Sequence, residues 1–68
     1  MPIITVEGPP IKDMARKRTF VAKLTAAAVE AFAFPKERFV ILLRETRPDN
    51  VGVGGELVSD TRKSGAPE

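Results

Sequence analysis

The chain has 68 residues and a mass of 7.4 kDa, which corresponds to one small domain. Cysteine and histidine are both absent, which excludes disulfides, thiol chemistry and the common zinc sites. The formal net charge is only +2, a weak indication of anionic partners. A domain this short buries only about 60% of the surface of its unfolded chain, so we expect self-association to stabilise it.

The first predicted element is a short strand. Residues 2–8 are rich in β-branched side chains and run into Gly8-Pro9-Pro10, a turn that cannot donate ladder hydrogen bonds. Alternation along a strand divides its side chains between two faces. Ile4 and Val6 belong to one face, and Ile3, Thr5 and Glu7 belong to the other.

A long helix is predicted next. Asp13 can cap its first amides, and from Met14 to about Ala33 the chain contains no glycine or proline. We expect Pro35 to end the helix, because proline disfavours helical backbone in the residue before it. The apolar arc is wider than one packing face needs, so we expect contacts with the sheet and with a second subunit. Its members are Phe20, Val21, Leu24, Ala27, Ala28, Val29, Ala31 and Phe32.

The uninterrupted apolar run Phe39–Leu43 predicts a second strand, covered on both faces as in parallel sheets. Strand, helix and strand in this order form a right-handed β-α-β unit. The glycine-rich segment from Val51 to Val58 predicts a small hairpin or an arm on a neighbouring subunit. The expected fold class is therefore α/β: one β-α-β unit with two parallel strands, a long helix and a C-terminal hairpin or arm, completed by oligomerisation.

We assign residues 1–62 to one domain and residues 63–68 to a polar tail that frays. No apolar stretch approaches the roughly 20 residues of a membrane span, and the start of the chain lacks the basic and apolar blocks of a signal peptide. We therefore expect a cytoplasmic protein with no membrane partner.

Four basic residues surround the start of the helix: Lys12, Arg16, Lys17 and Arg18. A solvated face is the simplest interpretation. The alternative is a rim that attracts carboxylates, because the helix dipole and free amides favour anions there. We expect no nucleic-acid partner, because the chain has no tyrosine or tryptophan to stack on bases and little net charge.

The segment Gly52-Val53-Gly54-Gly55 also has two interpretations. It is not a dinucleotide fingerprint, because it neither follows the first strand nor opens a helix, and it lacks the ending of a P-loop. A structural turn or bulge is the simpler interpretation. The functional one is that small residues let this backbone close over a ligand pocket.

The candidate catalytic group is the amine of Pro2. The chain has no histidine to activate Ser59 or Ser64, so serine hydrolysis is not expected. Proline at this position favours removal of Met1, which leaves a free secondary amine. An α-amino group titrates at about 7.7–8, and an apolar pocket or nearby cations lower that pKa. Such an amine is an efficient general base near neutral pH, although a Met-Pro start alone indicates little.

Three features together resemble the 4-oxalocrotonate tautomerase family. They are the Met1-Pro2-Ile3 start, the β-α-β body, and the segment Val51-Gly52-Val53-Gly54-Gly55-Glu56-Leu57 near the end. The resemblance covers residues 2–62 without gaps. It implies a homo-oligomer, typically a hexamer built as a trimer of dimers, in which the amino-terminal proline moves a proton between carbon and oxygen of an enol or conjugated ketone. It implies no metal or organic cofactor.

The resemblance assigns the catalytic position to Pro2. The family's first substrate-binding arginine falls at Lys12, which keeps the charge but loses the bidentate fork. Its second arginine falls at Val40 and its aromatic wall at Val51, and both are departures. A backbone amide that the family offers to the substrate falls near Pro9, which has no N–H. These departures weaken the expectation that the substrate is the family's namesake dicarboxylate.

Two arginines could compensate for the loss at Val40. Strand alternation puts Arg44 on the same face, about 13 Å away, and Arg38 two residues before Val40 is the second candidate. We hypothesise that Arg44 and Lys12 hold the anionic end of the substrate and stabilise the developing dienolate. The alternative for Arg44 is an ion pair, with Glu45 or with Glu7 of another chain.

The expected function is a tautomerase, an isomerase acting on a small anionic unsaturated 2-oxo acid or its enol, with Val51 and Val53 helping to keep the amine of Pro2 dry. Two alternatives remain open. One is hydration or hydrolytic dehalogenation of a small unsaturated acid, with cationic Pro2 as the acid and a carboxylate activating water. The carboxylate candidates are Glu7, Glu45 and Glu56. The other alternative is a non-catalytic oligomer that only binds partners.

Overall fold

The computed structural model describes residues 1–61. Residue 62 of the predicted domain and the predicted tail at 63–68 lie outside this range. Over residues 1–61, no helix is both long and apolar enough to cross a membrane. The elements in chain order are β1 (Ile3–Gly8), α1 (Met14–Phe32), a 3-10 turn (Lys36–Arg38), β2 (Val40–Glu45), a 3-10 turn (Pro48–Asn50), β3 (Gly52–Val53), β4 (Glu56–Leu57) and α2 (Val58–Thr61).

Strands β1 and β2 form a parallel pair, as predicted. The register runs from Ile3 opposite Val40 to Gly8 opposite Glu45. The second strand starts one residue later than the apolar run and continues two residues beyond it, because Arg44 and Glu45 still pair with β1. The predicted β-α-β unit is therefore confirmed, with a polar end on β2 that hydrophobicity alone does not reveal.

Helix α1 has the predicted N-cap. The Asp13 carboxylate accepts hydrogen bonds from the backbone N–H groups of Ala15 and Arg16 at 2.9 and 3.4 Å. The helix ends at Phe32, because Ala33 adopts the left-handed conformation with φ of 59°. Pro35 follows two residues later, so the reversal at Ala33 precedes the break that the proline was expected to impose.

The helix covers one face of the two-stranded sheet and leaves the other open. Among the described residues only Ala28, on α1, is buried, at 6% exposure. On the uncovered sheet face Ile3 is 55% exposed and Leu42 43% exposed, so within one chain β2 is not covered on both faces as expected. The radius of gyration is 15.3 Å, against about 11 Å for a compact chain of this length. The described part of one chain therefore has an incomplete hydrophobic core, because one face of its sheet remains exposed.

The glycine-rich segment forms the predicted hairpin. Strands β3 and β4 pair antiparallel, with Gly52 opposite Leu57. The two residues between them, Gly54 and Gly55, have φ of 62° and 84°. Positive φ at both central residues is the requirement of a two-residue type I′ turn, which explains this glycine pair. The short helix α2 follows directly and was not predicted, since Val58–Thr61 offers too few residues for a periodic pattern.

Candidate active site

A large cavity lies where β1 and β2 end. The backbone N–H of Thr46 donates to the Gly8 carbonyl oxygen at 2.8 Å, which is the last hydrogen bond between the two segments. Beyond it the chain separates toward α1 on one side and toward the hairpin on the other. The resulting cavity has a volume of about 640 Å³. Its lining residues are Glu7, Gly8, Pro9, Thr46, Pro48, Val51, Val53 and Val58.

The hairpin supplies the apolar wall of this cavity. The N–H of Val58 donates to the Val51 carbonyl oxygen at 2.8 Å, which fixes the base of the hairpin. Val51 and Val53, which were predicted to bind substrate and to keep the amine of Pro2 dry, both line this cavity. The tight turn at Gly54 and Gly55 therefore has a structural role, because it returns the chain so that Val53 remains over the cavity.

A smaller cavity of about 390 Å³ adjoins the larger one, with Pro48 lining both. Its other lining residues are Pro10, Lys12 and Arg47. Lys12 was predicted as a cationic binding residue, and it directly precedes the N-cap of α1. Arg47 was not predicted, although its position before a proline is a signal for an extended backbone that presents the side chain at the surface.

Arg44 lies on the open face of the sheet, beside the larger cavity rather than in it. Its guanidinium is 3.8 Å from the carboxylate of Glu7, the residue opposite it in the register. Both side chains are exposed, and Glu7 is itself a lining residue. The alternative considered for Arg44 was a surface or intersubunit ion pair, and here it pairs with Glu7 at the surface of one chain, where the arginine offsets the negative charge of the cavity rim.

Glu45 fastens the carboxyl end of the sheet to the start of α1. Its carboxylate lies 2.7 Å from the ammonium of Lys17 and accepts the backbone N–H of Ile11 at 3.0 Å. The hydrogen bond from Lys17 and then that from Ile11 hold the pKa of Glu45 below its ordinary value of 4.5, although partial desolvation acts in the opposite direction. With both contacts made, this carboxylate positions the segment that carries Lys12.

Pro2 lies at the opposite end of the sheet from both cavities. The backbone N–H of Val40 donates to the Pro2 carbonyl oxygen at 3.1 Å, directly before the first register pair. The six residues of β1 span about 20 Å. Neither of the two cavities at the carboxyl end includes Pro2 among its lining residues. One chain therefore does not bring Pro2 together with Lys12, Val51 or Val53.

An aromatic cluster occupies the same end as Pro2. The rings of Phe32, Phe34 and Phe39 have centroids 5.7 to 6.4 Å apart. The guanidinium of Arg38 lies 5.3 Å from the centroid of the Phe34 ring, a cation–π distance. Arg38 belongs to the 3-10 turn before β2, so strand alternation does not put it on the face of Val40 as expected. It lies with the Pro2 end instead.

The three carboxylates considered for activating water differ in their surroundings. Glu7 lines the larger cavity. Glu45 is engaged by Lys17 and Ile11, as described. Glu56 belongs to β4 and is exposed, and it is not among the residues that line the two cavities. Only Glu7 of these three therefore faces a space that could hold a small ligand.

Comparison with protein families gives one match, to the model described as tautomerase enzyme, over residues 2–61. A search of curated proteins found no match. Among solved structures, DmpI from Archaeoglobus fulgidus is 41% identical with a TM-score of 0.76, over 87% of this chain and 100% of that one. TomN, a 4-oxalocrotonate tautomerase homologue of the tomaymycin biosynthetic pathway, is 31% identical with a TM-score of 0.82, over 96% of this chain and 100% of that one.

A more distant structure shares the fold alone. The heterohexamer 4-oxalocrotonate tautomerase from Chloroflexus aurantiacus is 24% identical with a TM-score of 0.77, over 91% of this chain and 100% of that one. The family match spans every element from β1 to α2, and the more similar structures share the same order of strands and helix. The chain belongs to the tautomerase family, among the homologues of 4-oxalocrotonate tautomerase, and is related to tautomerase-type isomerases.

Proposed function

We propose that the protein is a tautomerase that converts the enol of a small unsaturated 2-oxo acid into the conjugated ketone, with Pro2 as the general base. The observation that carries the proposal is the family match over residues 2–61, which includes Pro2. Removal of Met1 exposes the secondary amine. In its neutral form the amine has an electron pair that can accept the proton of an enol.

The proton transfer begins at the enol hydroxyl of a 2-hydroxy-2,4-dienoate. The neutral amine of Pro2 takes this proton, and the remaining electron pair delocalises over the dienolate. The resulting ammonium then returns the proton to the distal carbon, which yields the 2-oxo-3-enoate and regenerates the neutral amine. Cations near the carbonyl oxygen stabilise the negative charge that develops there, and they also lower the pKa of the amine.

The active site requires two subunits in this proposal. Pro2 and the cavities are separated by the length of β1, about 20 Å, so the Pro2 end of one chain meets the carboxyl end of another. The open sheet face and the incomplete core support such an assembly, since Ile3 and Leu42 remain exposed in one chain. We propose a homohexamer, a trimer of dimers, located in the cytoplasm.

Each subunit contributes different groups to the composite site. The cavity subunit supplies Lys12 as a cation for the substrate carboxylate and Val51 and Val53 as the apolar wall. Its Arg44 acts through Glu7, because neutralising the rim carboxylate reduces repulsion of an anionic substrate. The subunit that supplies Pro2 also supplies Arg38, which lies at the same end of its sheet.

The test is to block the amine. An added Gly-Ser dipeptide before Pro2 should lower kcat/KM for ketonisation of phenylenolpyruvate and of 2-hydroxymuconate by about 10²- to 10⁴-fold, the usual contribution of a general base. The same dipeptide added at the C-terminus is the matched control. Mass spectrometry establishes that Met1 is absent in the active sample. Full activity in the blocked protein would rule out the proposal.

Hydration of an unsaturated acid is the second candidate, because Glu7 lines the larger cavity and could activate a water. The two reactions need opposite protonation states of Pro2. A neutral base loses kcat/KM as pH falls below the pKa of the amine, whereas a cationic acid loses it as pH rises above that pKa. A pH–rate profile with its basic limb attributable to Pro2 would favour hydration.

A further inference from the structure

The smaller cavity holds two cationic side chains, and no carboxylate from residues 1–61 is among its lining groups. Its volume is about 390 Å³, with Lys12 and Arg47 beside Pro10 and Pro48. Two positive charges around one concave surface raise the local concentration of anions. The proposed function uses Lys12, but it assigns no role to Arg47.

Arg47 lies at the start of a short turn at the edge of this cavity. Arg47 precedes the 3-10 turn Pro48–Asn50 and has an extended backbone, φ −70° and ψ 148°. Its Nε lies 3.6 Å from the Asp49 carboxylate, and the side chain is 76% exposed. Since this contact engages Nε, the two terminal nitrogens can form a second, two-point contact with a carboxylate.

The two cavities together place an apolar wall beside two cationic side chains, which is the polarity that a short unsaturated acid requires. Pro48 lines both, so they are neighbours along one surface. Val51 and Val53 give the larger cavity an apolar wall, while the smaller one is cationic. Resting on the proposed function, we propose that Arg47, with Lys12, binds the substrate carboxylate while the apolar body of the substrate lies against the hairpin.

Arg47 and Lys12 make different contributions to this site. Lys12 supplies a compact positive charge on a flexible stem, whereas a guanidinium supplies two parallel donors that fix the orientation of a carboxylate. Arg47 is thus a specificity-determining residue, and its removal should raise KM for an anionic substrate more than it lowers kcat. Arg47→Lys keeps the charge without the fork and should fall between the wild type and Arg47→Gln.

The experiment measures binding without turnover. Sorbate has the six-carbon diene and one carboxylate but no enol hydroxyl, and 2,4-hexadien-1-ol is its neutral counterpart. NMR titration of the full-length oligomer should show that Arg47→Gln weakens sorbate binding by about fivefold to tenfold, which lies within the net contribution of a typical hydrogen bond in proteins. Binding of the alcohol should not change. Lys23→Gln, at an exposed cation on α1 outside the basic cluster at the start of the helix, is the matched control for net charge.

Three results would overturn the inference. Equal effects of Arg47→Gln and Lys23→Gln would indicate net charge alone. Equal weakening of sorbate and the alcohol would indicate collapse of the cavity, and equal affinity of the wild type for both ligands would mean that no carboxylate is recognised. Failure of the proposed function is detected separately, because sorbate binding does not depend on a free amine at Pro2.

Discussion

The two ends of the β1–β2 sheet have different chemistry. The amino end carries Pro2 and an aromatic cluster with one stacked arginine, and Val40 ties Pro2 to β2 through a single backbone hydrogen bond. The carboxyl end carries two adjoining cavities with lysine, arginine and glutamate side chains at their margins. One end thus carries the proposed base, and the other offers space and charge for an anionic ligand.

In the proposed composite site, a 68-residue chain contributes to an active site that it does not contain as a monomer. A base about 20 Å from a binding cavity cannot act on a ligand held there. In the proposed assembly, association of two copies would bring the two ends together and would also cover the open sheet face. Stability and catalysis would then depend on the same contact, and this coupling can be tested by changing each end in turn.

We expect the largest effect on assembly and activity from a substitution in the middle of the sheet, between its two ends. Leu42 lies in the middle of β2, on the open face, opposite Thr5. Leu42→Asp should dissociate the oligomer, because it removes an apolar contribution of about 1.5–3 kcal/mol per subunit and adds a charge to the interface. Sedimentation velocity should show smaller species, and ketonisation activity should fall in parallel with the fraction of oligomer.

Lys23→Asp is the matched control for this substitution, since Lys23 is exposed on α1 and also becomes an aspartate. It should leave the oligomer intact. If Leu42→Asp remained fully oligomeric and active, the sheet face would not be the contact that joins the two ends.

Much of the fold could be predicted because its signals are local. Asp13 as N-cap, the long helix and the Gly54-Gly55 turn each follow from the preferences of a few neighbouring residues. The end of α1 was predicted to within one residue, but its cause was not, because Ala33 has no intrinsic preference for the left-handed conformation that it adopts. The extension of β2 to Glu45 depends on pairing with β1, which no pattern within β2 reveals.

The site was harder to predict because it depends on contacts between distant segments. Lys12 and Val51 were identified through the family resemblance and Val53 as an apolar neighbour of the amine, and these three residues line the two cavities. Arg47 has no motif, and it meets Lys12 only because two proline-containing turns converge at the end of the sheet. In the proposed site, Pro2 and Arg38 come close to these residues only through a second chain. The sequence of one chain therefore specifies that arrangement only indirectly.

We expect a smaller effect from a substitution in the hairpin, because the hairpin contributes to the carboxyl end of the sheet alone. Gly55 has φ of 84°, and a Cβ there would meet no atom within 4 Å, so Gly55→Ala adds backbone strain without a clash. The expected cost is about 1–2 kcal/mol of hairpin stability. Because Val53 precedes this turn, KM should rise, whereas oligomerisation should not change.

Gly52→Ala is the matched control for the hairpin. Gly52 does not have positive φ, and an added Cβ would lie 3.7 Å from the Glu56 carbonyl oxygen, an ordinary contact. Thermal unfolding and steady-state kinetics should therefore separate the two variants. Equal stability and equal KM for both would show that the turn conformation does not hold the cavity wall.

The smallest effect should come from Glu45, and it should depend on pH. The pKa of this carboxyl is lowered in the folded state, first by the hydrogen bond from Lys17, so the ionised form stabilises the fold above the ordinary value of 4.5. That stabilisation is lost as pH falls through the lowered folded-state pKa. Glu45→Gln should therefore lower Tm most near neutral pH, and its difference from the wild type should shrink below pH 4.5.

Lys17→Met distinguishes the ion pair from the hydrogen bond to Ile11. The amide introduced by Glu45→Gln would still offer an oxygen to the Ile11 N–H, whereas Lys17→Met leaves that hydrogen bond to the carboxylate in place and removes the cation. If the Lys17 contact dominates, both variants should approach the wild type on acidification, and both should raise KM slightly, because Ile11 adjoins Lys12. A Tm difference that stays constant from neutral pH to well below 4.5 would contradict this role for the carboxylate. An unchanged KM would show that the tether stabilises the carboxyl end of the sheet without positioning Lys12 for the ligand.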